Sequence, residues 1–570
     1  MYFSRLSPLH QRRVSVKSFP GLDVRPGAAA GCASAMVNGS TDAFPALEPR
    51  KQRGLVAQLT HPNGLTVKDA LCWVDGGRLY MNGADCGLTL TDSPKQLVSM
   101  GAYLVIFPDK QYINTCDLTD HGFLEKTAAT TGTVLFQLSD SAGVVYEGCT
   151  VAVSAPAEAA AGSLWLDVSG PEAILCRRGQ EGWTPVEDVC VKLSAAGIGD
   201  GFSAGDGVKL SGCTAAALDG FHVLAAAESD ALVFPGTLAG TVSQEGSITV
   251  RRTVPDMDFV VECGNRLWGC KYGLTGGESV NAIYASKLGD FTNWYCYAGL
   301  STDSYAADRG SDGAFTGAAV YLDSPIFFKE DCMERVYPAR SGAHQIVTLR
   351  CPGVASGSAG SPAVADGVLY YHAPGGIYGF DGSLPVPVSA PLGEAQMSEA
   401  VAGSWRGRYV VSLLQGGSRH LYVYDSRRKL WSREDALEVL AFASREDELY
   451  ALTAAGDVWS MHGAAGTAEE AVSWQFDSGE QGLTAPENTY LQHLRLHLRL
   501  APGAVCRAAV SYDGGATWLP QGTLTAAAGR DGTLHIRPRR SRTLRVRLTG
   551  QGSVTLYAVT ALCGKGSDEG

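Results

Sequence analysis

Three aspartates and an arginine between residues 303 and 312 form the first group whose spacing could support chemistry. Asp303, Asp308 and Asp312 stand close to Arg309, and such a group could supply the carboxylate pair of a glycosidase or the ligands of a calcium loop. The spacing lacks the regularity of an EF-hand loop, and glycine and serine surround it. We therefore expect solvated loop acids. We also expect a solvated rim from four acids around the next apolar run: Asp323, Glu330, Asp331 and Glu334.

Two histidines, His493 and His497, raise the question of a metal site. On a helix, positions i and i+4 could share one ion. Here the histidines alternate with leucines from Leu494 to Leu500, which is the period of a strand with one polar face. On a strand they stand about 13 Å apart, at about 3.3 Å per residue. The pattern therefore predicts a strand and no shared metal ion.

The segment 511–518 reads SYDGGATW and fits the Asp-box pattern S-x-D-x-G-x-T-W, which recurs in sialidases and related propellers. The pattern describes a hairpin in which the aspartate binds turn amides, glycines take unusual backbone angles and the tryptophan packs beneath. The motif is not catalytic even in sialidases, and it occurs once here. We expect a structural turn formed by Ser511, Asp513, Gly515 and Trp518.

Arginines are concentrated near the C-terminal end of the chain. Residues 475–563 contain ten arginines and five acids, a surplus of five positive charges, so the rest carries −17 against the total of −12. Such arginines could bind nucleic acid or an acidic protein face, or they could form the polar face of a strand. No aromatic residues interleave them, which argues against stacking on single-stranded nucleic acid. The candidate partner-binding residues, around a predicted loop, are Arg537, Arg539, Arg540 and Arg542.

The elements that would position these residues are short strands. The 69 glycines recur in aspartate-glycine pairs along the whole chain, and such pairs are typical of tight hairpin turns. Ile326, Leu369, Tyr409 and Leu449 occupy equivalent points of one β-rich unit, at intervals of 43, 40 and 40 residues. A period of about 40–45 residues without a helical pattern is typical of β-propeller blades. We expect five to seven blades, and the best candidate for a helix is 394–401.

This period is interrupted between about residues 128 and 250, although that stretch also reads as β. A small β-domain inserted through a propeller loop accounts for the interruption, because surface loops tolerate long insertions; two domains in tandem are the alternative. The sequence thus predicts an all-β protein with five parts. They are an extended N-terminal arm lying on other domains or on a neighbouring subunit (1–54), the first part of the propeller (55–127), an inserted β-domain (128–250), the rest of the propeller (251–470) and a C-terminal β-sandwich (471–570).

Composition excludes several classes of protein. A net charge of −12 argues against non-specific nucleic-acid binding over most of the surface, but an acidic passage would let DNA slide without sticking. The fifteen cysteines lack a CxxC pair and read as buried hydrophobic residues of a protein assembled in a reducing cytoplasm. Neither a signal peptide nor an apolar run of about 18 residues is present. Walker, G-x-S-x-G and zinc patterns are absent, so we expect no enzyme and no cofactor.

Three consecutive motifs resemble one known family. GDFTNW at 289–294 is followed by GSDGAFTG at 310–317 and by IFFKEDCMERVY at 326–337. This succession is similar to the propeller of phage packaged-DNA stabilisation or tail-nozzle proteins. The N-terminal FPGLD at 19–23 and the FPAL-containing stretch 38–53 resemble that family's arm, and the terminal WQF and SYDGG segments are similar to sandwiches of phage tail proteins. The inserted stretch 128–250 departs from the family's pattern.

The resemblance implies a virion structural protein of a tailed bacteriophage, assembled in the host cytoplasm. In that family a ring, usually of six copies, contacts other tail or neck proteins, continues the tail channel and helps to retain packaged double-stranded DNA. An acidic body would suit a channel through which DNA passes, and a basic end would suit docking on an acidic ring. A glycan-binding module of the distal tail or fibre is the alternative from another class. A sialidase-like glycoside hydrolase is the third hypothesis.

Overall fold

The computed structural model describes residues 11–339, 343–480, 489–526, 530–537, 539, 541 and 543–565. Within them the fold is all-β, as predicted, and consists of many small sheets with no α-helix. Two short 3₁₀ turns lie at Ala216–Leu218 and Ala390–Leu392. Short strands dominate because glycines with positive φ, such as Gly76, terminate the apolar runs in tight turns.

In chain order the first strands are β1 (Gln11–Val16), β2 (Ala33–Val37), β3 (Gly39–Ser40), β4 (Glu48–Pro49), β5 (Gly54–Gln58), β6 (Pro62–Lys68), β7 (Ala70–Asp75), β8 (Arg78–Met81), β9 (Ala84–Asp85), β10 (Gln96–Met100), β11 (Tyr103–Phe107), β12 (Gln111–Asn114) and β13 (His121–Phe123). The next are β14 (Lys126–Ala129), β15 (Thr133–Ser139), β16 (Thr150–Ala152), β17 (Leu164–Asp167), β18 (Ile174–Arg178), β19 (Trp183–Pro185), β20 (Cys190–Ser194), β21 (Gly207–Ser211), β22 (Gly220–Val223), β23 (Ala226–Glu228), β24 (Ala231–Pro235), β25 (Val242–Glu245) and β26 (Thr249–Arg252).

The strands of the second half begin with β27 (Phe259–Glu262), β28 (Leu267–Thr275), β29 (Glu278–Ala285), β30 (Tyr305–Asp308), β31 (Gly317–Tyr321), β32 (Ser324–Lys329), β33 (Cys332–Tyr337), β34 (Gln345–Arg350), β35 (Ala363–Ala365), β36 (Val368–Ala373), β37 (Gly376–Phe380), β38 (Val386–Pro387), β39 (Met397–Trp405) and β40 (Arg408–Gln415). They continue with β41 (Ser418–Asp425), β42 (Leu430–Arg433), β43 (Val439–Arg445), β44 (Glu448–Thr453), β45 (Asp457–Ser460), β46 (Thr467–Ala468), β47 (Ser473–Ser478), β48 (Thr489–Leu500), β49 (Val505–Ser511), β50 (Leu519–Thr525), β51 (Arg530–Ile536), β52 (Arg545–Gln551) and β53 (Val554–Lys565).

Seven antiparallel sheets repeat one pattern, in which consecutive strands lie side by side. We number them sheet I (β6–β9), sheet II (β10–β13), sheet III (β27–β30), sheet IV (β31–β34), sheet V (β35–β38), sheet VI (β39–β42) and sheet VII (β43–β45 with β5 and β46). The four residues chosen as equivalent points all lie on the second strand of a sheet, β32, β36, β40 and β44. The predicted repeat is therefore confirmed for sheets IV to VII.

Successive sheets pack on one another through apolar clusters. Their first strands are in contact from β39 to β43, from β43 to β6, from β6 to β10, and onward through β27 to β31. The contact between the last sheet and the first decides whether the order of packing returns to its start. Leu452 and Val458 of sheet VII share a buried cluster with Leu71 and Trp73 of sheet I. The order of packing therefore returns to its start.

The stretch from β14 to β26 forms three further sheets, which we call the middle sheets. They are ordered β14-β26-β21-β22, β23-β24-β20-β15-β25 and β16-β17-β18-β19, and only β16 and β17 pair in parallel. All three contribute to one buried cluster, which includes Leu166, Leu193 and Val250. This separate core explains why the period of the repeat is interrupted here.

The last strands form two sheets that also take up strands from the N-terminal end. Terminal sheet 1 has the order β1-β53-β48-β51, and terminal sheet 2 has the order β2-β47-β52-β49-β50. Leu494, Leu496 and Leu498 of the first sheet and Leu548 of the second are buried in the same cluster. The expected N-terminal arm thus lies on the C-terminal sheets of its own chain.

Two expectations from the sequence, a helix at 394–401 and buried cysteines, can be compared with the structure. The helix expected at 394–401 is wrong: a strand with a bulge occupies Met397–Trp405, and Glu399 has φ 49°. Eleven of the fifteen cysteines are buried, and only Cys116 is exposed. Within the described residues no helix has the length and apolar character needed to cross a membrane.

The strand β5 joins sheet VII from the far end of the sequence. Gly54–Gln58 pairs antiparallel with Asp457–Ser460. Beside it, the buried guanidinium of Arg53 donates to Asp435 at 2.7 Å and to Glu434 at 2.6 Å. Arg53 therefore fastens the start of β5 to the segment between sheets VI and VII.

We expect Arg53→Met to lower the free energy of unfolding by about 3 kcal/mol, because it leaves two largely buried carboxylates without their main cation. Urea unfolding followed by tryptophan fluorescence measures this change. The matched control is Arg350→Met, which removes an exposed pair with Asp331 and should have little effect. Equal unfolding midpoints for the two variants would contradict the role given to Arg53.

Candidate partner-binding surface

The Asp-box segment forms the predicted turn between β49 and β50. The Ser511 hydroxyl donates to the Asp513 carboxylate at 2.7 Å and accepts the Gly515 amide at 2.8 Å. Asp513 also accepts the Thr517 amide at 2.9 Å and the Thr517 hydroxyl. Gly515 has φ 102°, a left-handed conformation that disfavours other residues. The turn is held by its own side chains.

These hydrogen bonds also determine the charge state of the aspartate. The bonds from the Thr517 hydroxyl and amide and from the Ser511 hydroxyl lower the pKa of Asp513 below its ordinary value of 3.8. Burial has little part in this, because the side chain is exposed. The carboxylate serves as an anionic acceptor for the turn.

The candidate arginine loop and the Asp-box turn meet in the structure. The Arg539 amide donates to the Tyr512 hydroxyl at 2.7 Å, and the Arg539 guanidinium lies 4.3 Å from the centre of the Tyr512 ring. Arg537 is exposed at the end of β51. Arg540 and Arg542 lie outside the described residues. The loop is therefore positioned by an aromatic side chain that sequence analysis assigned to the turn alone.

A second arginine completes this end of terminal sheet 2. Arg547 binds both oxygens of Asp477, at 2.7 and 2.6 Å, and its guanidinium lies 4.0 Å from the centre of the Trp518 ring. Trp518 is half-buried, so it packs beneath the turn only in part. Sequence analysis missed Arg547 as a partner of Trp518. Only the pairing of β49 with β52, which places Ala509 opposite Arg547, brings them together.

The outer face of terminal sheet 1 carries a second set of basic side chains. The predicted strand at His493 and His497 is confirmed, because both lie on β48, in which Leu494, Leu496 and Leu498 are buried. Arg495 is exposed between them and is paired in register with His535 of β51. In the described part of the chain, no group of three or more His, Cys, Asp or Glu residues could hold a metal ion.

The acid loop is resolved into separate structural roles. Asp303 is buried, and its carboxylate accepts the Ala298 amide at 2.6 Å and the Leu300 amide at 3.0 Å. The expectation of a solvated acid is therefore wrong for Asp303, because the carboxylate caps the turn that precedes β30. It holds for Asp308 and Asp312, which are exposed.

Glu334 corrects the prediction of a solvated rim. It is fully buried, and it accepts Arg309 at 2.8 Å and the Thr348 hydroxyl at 2.9 Å. Arg309 follows the last strand of sheet III, whereas Glu334 and Thr348 belong to sheet IV. The ion pair therefore joins two sheets. The other three rim acids, Asp323, Glu330 and Asp331, are exposed, as predicted.

Lys329 makes a second polar contact at the same joint. Its buried ammonium donates to the Ser311 carbonyl at 2.7 Å and to the Asn281 amide oxygen at 3.1 Å, and it lies 4.6 Å from the centre of the Phe315 ring. Burial lowers the pKa of Lys329. The motifs at 310–317 and 326–337 thus meet between sheets III and IV.

The third motif, at 289–294, attaches sheet III to the middle sheets. The Asn293 side chain accepts the Gly207 amide at 3.1 Å and donates to the Gly205 carbonyl at 2.8 Å. Trp294 is buried and donates to the Phe291 carbonyl at 2.9 Å. Buried residues from all three motifs therefore take part in contacts between sheets.

Comparisons with known proteins return only weak likenesses. No family model and no curated protein matches the chain. Among solved structures, an exo-β-1,3-galactanase from Phanerochaete chrysosporium aligns over 53% of this chain and 94% of its own, with 8% identity and a TM-score of 0.20. PorZ, a surface component of the type-IX secretion system of Porphyromonas gingivalis, aligns over 83% of this chain and 71% of its own, with 10% identity and a TM-score of 0.26. These values assign no function.

We expect Asp513→Ala to accelerate hydrogen exchange of the Thr517 amide about tenfold, because that amide loses its acceptor. Exchange measured by mass spectrometry on peptides covering 511–519 reports it. Since the folded pKa of Asp513 is lowered, the protection should be complete above about pH 4 and disappear as pH falls through the lowered pKa.

The control for this experiment is Asp312→Ala, which removes another exposed turn aspartate and should leave exchange at Thr517 unchanged. Unchanged exchange in the Asp513 variant would contradict the proposed function of the carboxylate in the turn.

Proposed function

We propose that this chain is a virion structural protein of a tailed bacteriophage, which forms a ring of the tail nozzle or neck. The observation that carries the proposal is the joint between sheets III and IV. The motifs that resemble the nozzle family supply its buried Lys329 and Glu334, and Glu334 binds Arg309, which directly precedes the motif at 310–317. Both buried side chains bind groups of a neighbouring segment or sheet, as expected where sequence signatures encode the assembly of a scaffold.

The proposed architecture is a seven-bladed β-propeller, with sheets I to VII as blades. It is supported by the repeated meander, by the contacts between first strands, and by the packing of sheet VII on sheet I. In this proposal the middle sheets are the inserted domain of 128–250, between propeller parts 55–127 and 251–470. The terminal sheets are the two halves of a C-terminal β-sandwich over 471–570, to which the arm of 1–54 is bound.

We propose no enzymatic activity and no cofactor. The residues that could have formed a carboxylate centre have structural partners: Asp303 binds backbone amides, and Glu334 binds Arg309 and Thr348. A hydrolase would need two carboxyl groups aimed at one substrate bond. In this chain one carboxylate stabilises a turn and the other joins two sheets, which are structural functions that suit a scaffold.

We assign different roles within the virion to the acidic body of the chain and to its basic end. The body of the chain, with its −17, would line or surround a passage from which phosphate is repelled, so DNA passes without binding. The basic surface around Arg537 and Arg539 would contact an acidic protein surface of the tail or neck. The copies would assemble in the host cytoplasm and retain packaged DNA in the finished particle.

The proposal predicts a ring in negative-stain images of the purified chain, with six copies as the number that the family resemblance implies. It also predicts that particles carrying Arg537→Gln and Arg539→Gln assemble poorly or lose their DNA, because the basic surface no longer attracts its partner. Nuclease protection of the packaged genome measures the loss. Particles with the substitutions Lys126→Gln and Lys209→Gln in the middle sheets are the control and should retain DNA.

Normal assembly and normal DNA retention in the arginine variant would count against docking through this surface. Absence of the chain from purified virions would count against the proposed function itself. Turnover of a chromogenic glycoside, lost on changing a single carboxylate, would favour a hydrolase instead.

A second candidate, a glycan-binding module of the distal tail or fibre, is favoured by one cluster of aromatic residues. Phe221 of the middle sheets stacks on Tyr295 at 4.5 Å, and Tyr297 beside it is 48% exposed. Exposed aromatic rings are typical of carbohydrate contacts, because sugars pack on their faces. Binding of the purified chain to a glycan array, abolished by Tyr297→Ala, would support this function over the nozzle.

A further inference from the structure

The outer face of terminal sheet 1 is a broad basic surface. The inner face is filled by leucines such as Leu496, which are buried against terminal sheet 2. On the outer face, Arg13 of β1 lies in the same row as His493, and Arg495 lies in the next row. Arg499 is exposed farther along β48. Arginines of β1 and β48 thus lie on one side of the sheet.

Two acids lie near one of these arginines, Arg499. Asp531 is paired in register with Arg499, and Glu48 accepts a hydrogen bond from Thr555 of β53. Because β48 has twelve residues, the face is roughly 40 Å long and about 15 Å wide at ordinary strand spacings. That is comparable with the ~800 Å² that each partner buries in a standard interface.

A complementary surface lies on another sheet of the same chain. Residues 147–188, which include the sheet β16–β19, contain seven acids and two arginines, a net charge of −5. Six of these acids are exposed: Glu147, Glu158, Glu172, Glu181, Glu187 and Asp188. Among them stand exposed apolar side chains, Val151 at 50%, Val153 at 69% and Ile174 at 50%. An apolar centre with a charged rim is the usual anatomy of a protein interface.

We propose that the outer face of terminal sheet 1 of one copy docks on the sheet β16–β19 of the next copy. This inference rests on the proposed ring and assigns its contact between copies. The two surfaces differ, so the contact is heterologous: it repeats head to tail and closes into a ring when the rotation between copies allows it. Opposite charges select this arrangement, because each surface would repel a copy of itself.

The test uses the full-length chain and three sets of substitutions. The first reverses the basic face with Arg13→Glu and Arg495→Glu. The second reverses the acidic sheet with Glu172→Arg and Glu181→Arg. The third combines all four. Sedimentation velocity at 50 mM salt should show at least a tenfold smaller oligomer fraction for each of the first two sets. The combination should restore a substantial part of it, because the attraction is re-formed with reversed signs.

Two controls carry a charge reversal on other sheets. Arg507→Glu changes an exposed arginine of terminal sheet 2, and Glu228→Arg changes an exposed acid of another middle sheet. Both should assemble like the unmodified chain. Thermal unfolding of every variant establishes that the sheets remain folded, and the oligomer fraction of the unmodified chain should fall as salt is raised to 500 mM.

Three results would overturn the inference. They are unchanged assembly in both reversed sets, assembly lost in both sets without recovery in the combination, and an unmodified chain that stays monomeric. Loss of binding to a short DNA duplex in the first set, with assembly intact, would assign the basic face to nucleic acid instead. If rings form and reach the virion but ignore these substitutions, the proposed function stands and only this contact fails.

Discussion

The fold depends on the pairing of two segments about 400 residues apart. β5, at Gly54–Gln58, completes sheet VII by backbone hydrogen bonds to β45. Without it, sheet VII would lose its fourth strand and present an unpaired edge, which is a site of aggregation in β-proteins. Arg53 stabilises this junction because both of its carboxylate partners lie in the segment that leads from sheet VI to sheet VII. Val56 and Ala57 of β5 also pack against the buried cluster that sheets VII and I share.

The repeat was predictable from the sequence because apolar side chains recur at its equivalent positions. Ile326, Tyr409 and their equivalents lie on second strands, which neighbouring strands and sheets cover on both sides. A strand that is buried on both faces consists of apolar residues whichever turns flank it. The Asp-box turn was predictable for another reason: the hydrogen bonds that hold it lie within residues 511–517. Local patterns of this kind need no knowledge of the tertiary structure.

What the sequence could not supply was the pairing of distant residues. Glu334 reads as a surface acid beside Asp331, and only the approach of Arg309 from sheet III explains how a carboxylate can be fully buried there. Arg539 and Arg547 read as members of one charged run. In the structure they contact different aromatic side chains: Arg539 lies over Tyr512, whereas Arg547 lies over Trp518 because β52 pairs with β49. Strand register, which no short motif encodes, decides these contacts.

The closing strand has a consequence for synthesis of the protein. The ribosome makes residues 54–58 early, yet their partners at 457–460 emerge only after about 400 further residues. At about 5–20 residues per second this delay is roughly 20–80 s. During translation the early strand must therefore wait, solvated or held by a chaperone, while sheets I to VI and the three middle sheets form. Strands β1 and β2 wait longer still, because their partners are β53 at Val554–Lys565 and β47 at Ser473–Ser478.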